Sequence, residues 1–176
     1  MGKLKKLVEF EEAMEKFIAN YRIPSNVGLR YCEEGEWHFR RQEGEVVIPL
    51  IAFIEGGVRF PIGSVMRDYL RHFQLAPTQC TANVFRILGC MDALNEKMEL
   101  RLTHHDLNWC YNLQHLRGKS YYMKTKDDKV QLIQCLLETS KWLNKDFLIV
   151  SGEWHDDLHC PTEEGEPGRV SRVREG

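Results

Sequence analysis

The feature that most constrains the fold is a pair of adjacent glycines followed by an Arg-Phe-Pro turn. Residues 54–64 read IEGGVRFPIGS, with an apolar segment on either side. Glycine permits backbone conformations and close approaches that other residues do not, and the residue before a proline avoids the helical region. We call residues 56–62 the corner. The pattern predicts that one helix ends at the corner and that Ser64 caps the next helix.

The two glycines do not form a phosphate-binding loop. Such a loop needs GxGxxG or GxxxxGK[ST] opening a helix, whereas Gly56 and Gly57 follow an apolar helical pattern. We therefore predict that Gly56 or Gly57 ends a helix and that Gly57 allows close backbone packing, while Phe60, Pro61 and Ile62 fill a space between helices. Arg59 has two interpretations. It either pairs with an acidic side chain or with carbonyls at a helix end, or it contacts a partner.

Apolar residues recur at helical spacing along most of the chain. The predicted helices are residues 3–21, 46–57, 64–74, 81–98 and 104–116, the last with a Thr103/Asp106 capping box and with Gly118 as its terminator. Residues 36–41 suggest a short strand and residues 145–152 a strand. Residues 120–137 suggest a β-hairpin, although residues 130–143 could instead form a helix.

These elements predict a mainly α fold, a helical domain of about five helices with a small β-hairpin or sheet toward the C-terminus. The predicted domain organisation is an N-terminal amphipathic helix in residues 1–22, a helical domain in residues 23–154, and a flexible charged tail in residues 155–176. A length of 176 residues suits one such domain.

Charge and hydropathy exclude several function classes. The net charge is −2, from 24 basic and 26 acidic residues, without the basic excess that is usual in non-specific nucleic-acid binders. Basic residues cluster only locally, as in Lys5-Lys6 and Arg40-Arg41, and are typical of a solvated surface. No apolar run reaches the roughly 18 residues of a membrane span, and Glu9 interrupts a signal-like start. We expect an intracellular protein, cytoplasmic or nuclear.

Residues suited to chemistry are present, but not in the spacings that chemistry needs. The six cysteines include no CxxC pair. His155 and His159 would share one face if that stretch were helical, which leaves zinc as a minority interpretation. Cys110 is read as a buried, inert thiol and Trp109 as a core residue. Trp142 and Trp154 flank the strand suggested at residues 145–152, and they either pack in the core, which is the favoured interpretation, or line a partner groove. We therefore expect no cofactor and no catalytic group.

The corner and the segment after it resemble the N-terminal domain of plant gypsy-type transposon proteins. The resemblance rests on these residues: Phe53, Gly57, Arg59, Phe60, Pro61, Leu75, Ala76, Pro77, Gln79 and Asn83. SYYMKT and SKWLNKDFLIV match further elements of that family, so the resemblance spans residues 22–154. FIEGGVRFPI stands where the family usually has FKAGLRFPL. The coiled-coil region that often follows such domains is missing.

The resemblance implies an origin in retroelements and carries over no catalytic residue. Its motif residues are structural or possible partner contacts: Gly57, Arg59, Phe60, Pro61, Leu75, Pro77, Gln79 and Asn83. The leading hypothesis is a non-enzymatic protein-interaction or assembly module, with a protein partner or self-association and no membrane. One alternative is association with nucleic acid through the basic clusters. The other is a metal-dependent enzyme that uses His155 and His159.

Overall fold

The structure is a computed structural model that describes residues 4–33, 36, 42–129, 131–134, 136, 146–155 and 164. Five α-helices have both ends within these residues: α1 Glu11–Tyr21, α2 Leu50–Ile54, α3 Ser64–Phe73, α4 Ala82–Met98 and α5 His104–Cys110. The strands are β1 Val27–Tyr31, β2 Val46–Pro49, β3 Tyr111–His115, β4 Tyr121–Thr125 and β5 Phe147–Gly152. Short 3-10 turns occur at Lys5–Leu7 and Pro77–Gln79.

The main sheet has three antiparallel strands in the order β1-β5-β2. The central strand, β5, comes last in the chain and pairs with two strands that lie about 100 residues or more before it. Leu29 stands opposite Val150, and Ile48 stands opposite Leu148. The β-branched and apolar side chains of β2 and β5 are almost all buried, as expected for strands inside a core.

The second sheet is a β3–β4 hairpin in which Tyr111 stands opposite Thr125 and His115 opposite Tyr121. It is attached to the main body at the start of α4. There the amide of Thr81 donates a hydrogen bond of 3.1 Å to the carbonyl of Tyr121. Cys80 and Tyr121 also form an isolated parallel bridge. The hairpin thus packs beside α4 as a continuation of the same core.

The predicted fold class is wrong, because the protein is mixed α/β and not mainly α. The residues that the structure describes are 42% helix and 19% strand. Two predicted helices turn out to be part strand. Val46–Pro49 is extended, since its Val-Val-Ile run pairs with β5 before the helix starts at Leu50. The helix predicted for residues 104–116 ends at Cys110, because Tyr111–His115 pairs with β4.

Other element predictions have mixed outcomes. The helices predicted at residues 64–74 and 81–98 and the strand at 145–152 are confirmed to within two residues at either end. The N-terminal helix starts only at Glu11. The hairpin predicted for residues 120–137 is only partly right, because Tyr121–Thr125 is a strand but pairs with the preceding strand β3. Gly118, predicted to end a helix, lies in the connection between those two strands with a φ of 59°. Most of residues 36–41, 130–143 and 155–176 lie outside the described residues.

Most of the core is one apolar cluster between the main sheet and helices α1 to α4, and its largest fully buried side chain is Trp154. Cys32, Val47 and Ile149 form a second, smaller cluster. The indole Nε1 of Trp154 donates a hydrogen bond of 2.8 Å to the carbonyl of Gly44. Its own carbonyl accepts one of 3.0 Å from the amide of Ile62. Trp154 therefore connects the turn before β2, the end of the corner and the residues after β5. Its predicted core position is confirmed.

Trp109 is the opposite case. It is 82% exposed, so its predicted core position is wrong. Because α5 is only seven residues long and buries Leu107, a residue two positions further on lies nearly opposite the buried face.

We predict that Trp154→Ala lowers the free energy of unfolding by about 3–5 kcal/mol, since it removes a buried aromatic side chain and leaves a cavity. Trp154→Phe is expected to cost less, because much of the aromatic bulk remains while the hydrogen bond to Gly44 is lost. Urea unfolding measures both. The matched control is Trp109→Ala, which should change stability by less than about 0.5 kcal/mol. Equal losses at the two tryptophans would contradict the assignment.

Candidate functional site

The corner packs against α4 through Gly56. A Cβ at Gly56 would lie 2.6 Å from both the carbonyl oxygen of Ala52 and the Cβ of Phe85, closer than real side chains approach. Gly57 is exposed, has a φ of +72°, and has open space where a Cβ would be. The close approach predicted for Gly57 therefore belongs to Gly56, and Gly57 supplies the left-handed backbone of the turn.

Polar contacts hold the same junction. The guanidinium of Arg86 on α4 donates from Nε to the carbonyl of Glu55 at 2.9 Å and lies 3.1 Å from the Glu55 carboxylate. The carbonyl of Glu55 stands just past the end of α2, where helix carbonyls lack partners within the helix. Arg86 thus satisfies that carbonyl and pairs with the carboxylate of the same residue.

Arg59 does not contact an acidic side chain within the described residues. Its Nη1 donates to the carbonyl of Val58 at 2.8 Å, and its guanidinium carbon lies 5.9 Å from the centre of the Tyr21 ring. Phe17 stacks on Tyr21 at 4.4 Å and on Phe53 at 5.7 Å. The arginine therefore covers the outer end of an aromatic row that joins α1 to the corner, which is an ordinary cation–π position. Contact with a partner stays a prediction.

The remaining motif residues divide by exposure. Pro61 is exposed and Phe60 is half-buried, with its ring 5.7 Å from that of Phe53. The other four are buried: Leu75, Pro77, Gln79 and Asn83. The side-chain oxygen of Gln79 accepts a hydrogen bond of 3.0 Å from the amide of Ala76. Gln79 closes a turn inside the protein, so it does not share an outer surface with Arg59.

Asp92 is a structural residue that the sequence analysis missed. Its carboxylate, on α4, accepts hydrogen bonds from the amides of Val65 at 2.9 Å and Met66 at 3.2 Å, in the first turn of α3. Gly63 leaves room for it, since a Cβ there would lie 2.2 Å from the carboxylate carbon. The predicted cap, Ser64, is the first residue of the helix and not its N-cap. A cap from another helix leaves no local sequence signal.

Burial raises the pKa of the Asp92 carboxyl above its usual value, and this effect outweighs the two amide hydrogen bonds that act in the other direction. A second carboxyl, that of Asp146, is fully buried just before β5. It accepts hydrogen bonds from the amide of Leu4 at 2.8 Å and the hydroxyl of Tyr31 at 3.0 Å. Burial, followed by this bond to Asp146, raises the pKa of the Tyr31 hydroxyl. Both carboxyls thus join separate elements of the fold.

An apolar surface extends from the core along α4. The side chains of Ile87 and Met91 are at most 1% exposed, but Leu94 and Met98, on the same face one and two turns later, are 37% and 62% exposed. Leu100, in the following loop, is 42% exposed. We call Leu94, Met98 and Leu100 the α4 apolar end. The sequence predicts this stripe, but only the structure shows that the core ends before the helix does.

Three imidazoles meet where α3 and α5 pack together. The ring centres of His104 and His105 are 4.0 Å apart, and the ring of His72 lies 4.8 Å from His104 and 5.8 Å from His105. We call these residues the histidine cluster. In the sequence only His104 and His105 are adjacent, since His72 on α3 lies 32 residues before His104.

A metal centre is not formed by the part of the chain that the structure describes, where no group of three or more His, Cys, Asp or Glu residues could hold an ion. His155 stacks against Trp154, while His159 lies outside the described residues. Cys110 is partly exposed, not buried as predicted. The described helices also include none with the length and apolar character needed to cross a bilayer.

We predict that Gly56→Ala destabilises the protein by about 1–3 kcal/mol, because the added methyl group meets the Ala52 carbonyl and the Phe85 side chain. Gly57→Ala is expected to cost about 1–2 kcal/mol through its left-handed backbone. Gly89→Ala, on α4, is the matched control, since its methyl group would lie at an ordinary contact distance of 3.7 Å from the carbonyl oxygen of Gly56. It should be neutral or stabilising by up to about 1 kcal/mol. A Gly89→Ala loss as large as that of Gly56→Ala would contradict the packing account.

Asp92→Ala should cost about 1–2 kcal/mol, because it removes the cap from α3. The pH dependence provides a second test. Since the pKa of Asp92 is raised in the folded protein, its contribution to stability is greatest below the unfolded value of about 3.9 and is lost as pH rises through the folded value. Denaturant unfolding should therefore show wild type losing stability relative to Asp92→Asn between pH 3.5 and 7. A gain over that range would be inconsistent with a raised pKa.

Comparisons of the chain with protein-family models, with curated proteins and with solved structures gave no match. The resemblance to plant gypsy-type transposon proteins thus rests on the sequence motif alone and stays a prediction. The geometry of the corner is that of a packing junction, with a glycine contact, an arginine bridge and an aromatic row.

Proposed function

We propose that this chain is a non-catalytic protein-interaction or assembly module derived from a retroelement, with an intracellular location in the cytoplasm or nucleus. The observation that carries the proposal is the α4 apolar end. Leu94 and Met98 continue the buried stripe of their helix into solvent, and the parts of these side chains that stay exposed, 37% and 62%, add nothing to the stability of the monomer. An apolar helix face left outside the core is a typical feature of a protein-protein contact.

The chemistry of the exposed residues supports a protein contact. Methionine and aromatic residues are enriched in the buried centres of interfaces, and tryptophan is prominent among residues that dominate binding energy. Met98 is 62% exposed and Trp109, on the next helix, is 82% exposed. The loop between them is held against α4, since the side chain of Asn95 donates to the Leu102 carbonyl at 2.8 Å and accepts from its amide at 2.9 Å.

The non-catalytic part of the proposal draws on the roles of the polar groups in the described residues. The carboxyls of Asp92 and Asp146 are occupied by amides and a tyrosine hydroxyl, and Arg86 is occupied by Glu55. The motif residues Leu75, Pro77, Gln79 and Asn83 are buried and belong to the core around the turn before α4. The retroelement origin is supported only by the resemblance of the motif.

The assembly proposal is tested with a second copy of the chain as the first partner. Light scattering after size-exclusion chromatography should show a mass that rises above the monomer with concentration. Leu94→Ser with Met98→Ser should weaken that association by at least about tenfold, since burial of each side chain contributes at least about 1.4 kcal/mol. The double variant should still fold, with a loss of stability that comes mainly from Leu94, the less exposed of the two side chains.

Glu96→Ser with Lys97→Ser is the control, because these exposed residues lie on the same turn of α4 and away from the stripe. It should leave association unchanged. A strict monomer at high concentration would contradict the assembly proposal. Binding of wild type to DNA or RNA that weakens steeply with added salt would instead favour association with nucleic acid.

A further inference from the structure

The histidine cluster joins two helices that have few other contacts in common. His72 is in the last turn of α3, and His104 and His105 open α5. All three ring pairs are in contact, with centres 4.0–5.8 Å apart. The α5 helix itself has seven residues and buries only Leu107. The imidazole contacts are thus a large share of what holds the start of α5 against α3.

Neutral imidazoles can pack ring against ring, but imidazolium ions cannot do so without repulsion. Two positive charges at this separation repel each other. Burial lowers the pKa of His104, and the neighbouring rings of His105 and His72 lower it further. The pKa of histidine lies near 6.5 when unperturbed, so His104, whose pKa is lower, is neutral at pH 7.5.

The surrounding charges do not compensate for protonation of the cluster. The carboxylates of Asp68 and Asp106 favour protonated His104, but less strongly than the opposing effects. Asp68 is paired with Arg67 at 3.1 Å, and Asp106 accepts hydrogen bonds from the amide and hydroxyl of Thr103. Arg71 adds a positive charge to the last turn of α3.

The other elements packed against these two helices carry further titratable groups. On α4, Asp92 lies against the opposite end of α3, at the amides of Val65 and Met66. On β3, the titratable groups are Tyr111, which is buried, and His115, whose ring bonds the Gly118 carbonyl at 2.6 Å. Protonation of the cluster therefore meets mainly positive or already occupied groups.

We propose that the histidine cluster is an acid-sensitive contact, and that protonation of His104, packed against the rings of His72 and His105, releases the start of α5 from α3. The stability that neutral His104 contributes is complete above pH 6.5 and is lost as pH falls below that value, because the unfolded or released segment binds protons first. Release would move α5, which carries the exposed Trp109 and leads directly into β3.

Hydrogen exchange measured by mass spectrometry tests this proposal on the full chain. After correction for intrinsic exchange rates, protection of α5 should fall several-fold between pH 7.5 and pH 5.5, because protonation favours the released segment. Protection of β5 should stay constant and serves as the internal reference. NMR titration of the imidazoles should show at least one cluster histidine titrating below the free value.

Substitution by glutamine removes the charge change while keeping a polar side chain. His104→Gln is expected to make α5 protection independent of pH across this range. His72→Gln, at an exposed position, is the second variant in case His104→Gln does not fold, and it should halve the response or more. His115→Gln, outside the cluster, should retain the wild-type response. Unchanged α5 protection in wild type, or an equal loss in His104→Gln and His115→Gln, would overturn the proposal.

Discussion

The fold depends on the insertion of β5 between β1 and β2. The two outer strands do not pair with each other, so each is held by backbone hydrogen bonds to a strand that comes far later in the chain. Buried groups at both ends fix this strand. Just before β5, the carboxylate of Asp146 accepts hydrogen bonds from the amide of Leu4 and the hydroxyl of Tyr31. Just after β5, Trp154 forms hydrogen bonds with the carbonyl of Gly44 and the amide of Ile62. Such separated contacts make closure of loops a major entropic cost of folding.

The corner is attached to this sheet at one end and to α4 at the other. Because Trp154 holds Ile62, the end of the corner is fixed to the sheet, while its start is fixed to α4 by Gly56 and Arg86. A segment held at both ends by backbone and buried side chains has little freedom to close over a ligand. Its glycines serve packing and a tight turn. The corner thus positions α3 and α4, and these two helices present the surfaces on which function is proposed.

The sequence predicted the elements whose signal is local. The stripes of α3 and α4 and the apolar run of β5 were identified, since period and composition agree with the final environment. The sequence pattern wrongly predicts helix for two segments. Val46–Pro49 pairs with β5, far later in the chain, and such a partner leaves no local signal. Tyr111–His115 pairs with β4, and the hairpin turn between these two strands resembles the end of a helix. The Asp92 cap and the contact of His72 with His104 join residues 26 or more positions apart, and no periodicity records such contacts.

The region from the end of α4 to α5 differs from the rest of the protein in how it is held. Leu94 and Met98 leave the core, and α5 adds only Leu107 to it, so this region has few buried apolar contacts. Segments of that kind open at the lowest free-energy cost in a folded protein. Its remaining connections are polar: Asn95 to Leu102, Asp106 to Thr103, and the imidazole contacts. Polar contacts respond to pH and to partners, whereas the Trp154 core does not, so a change at this end can occur while the sheet stays intact.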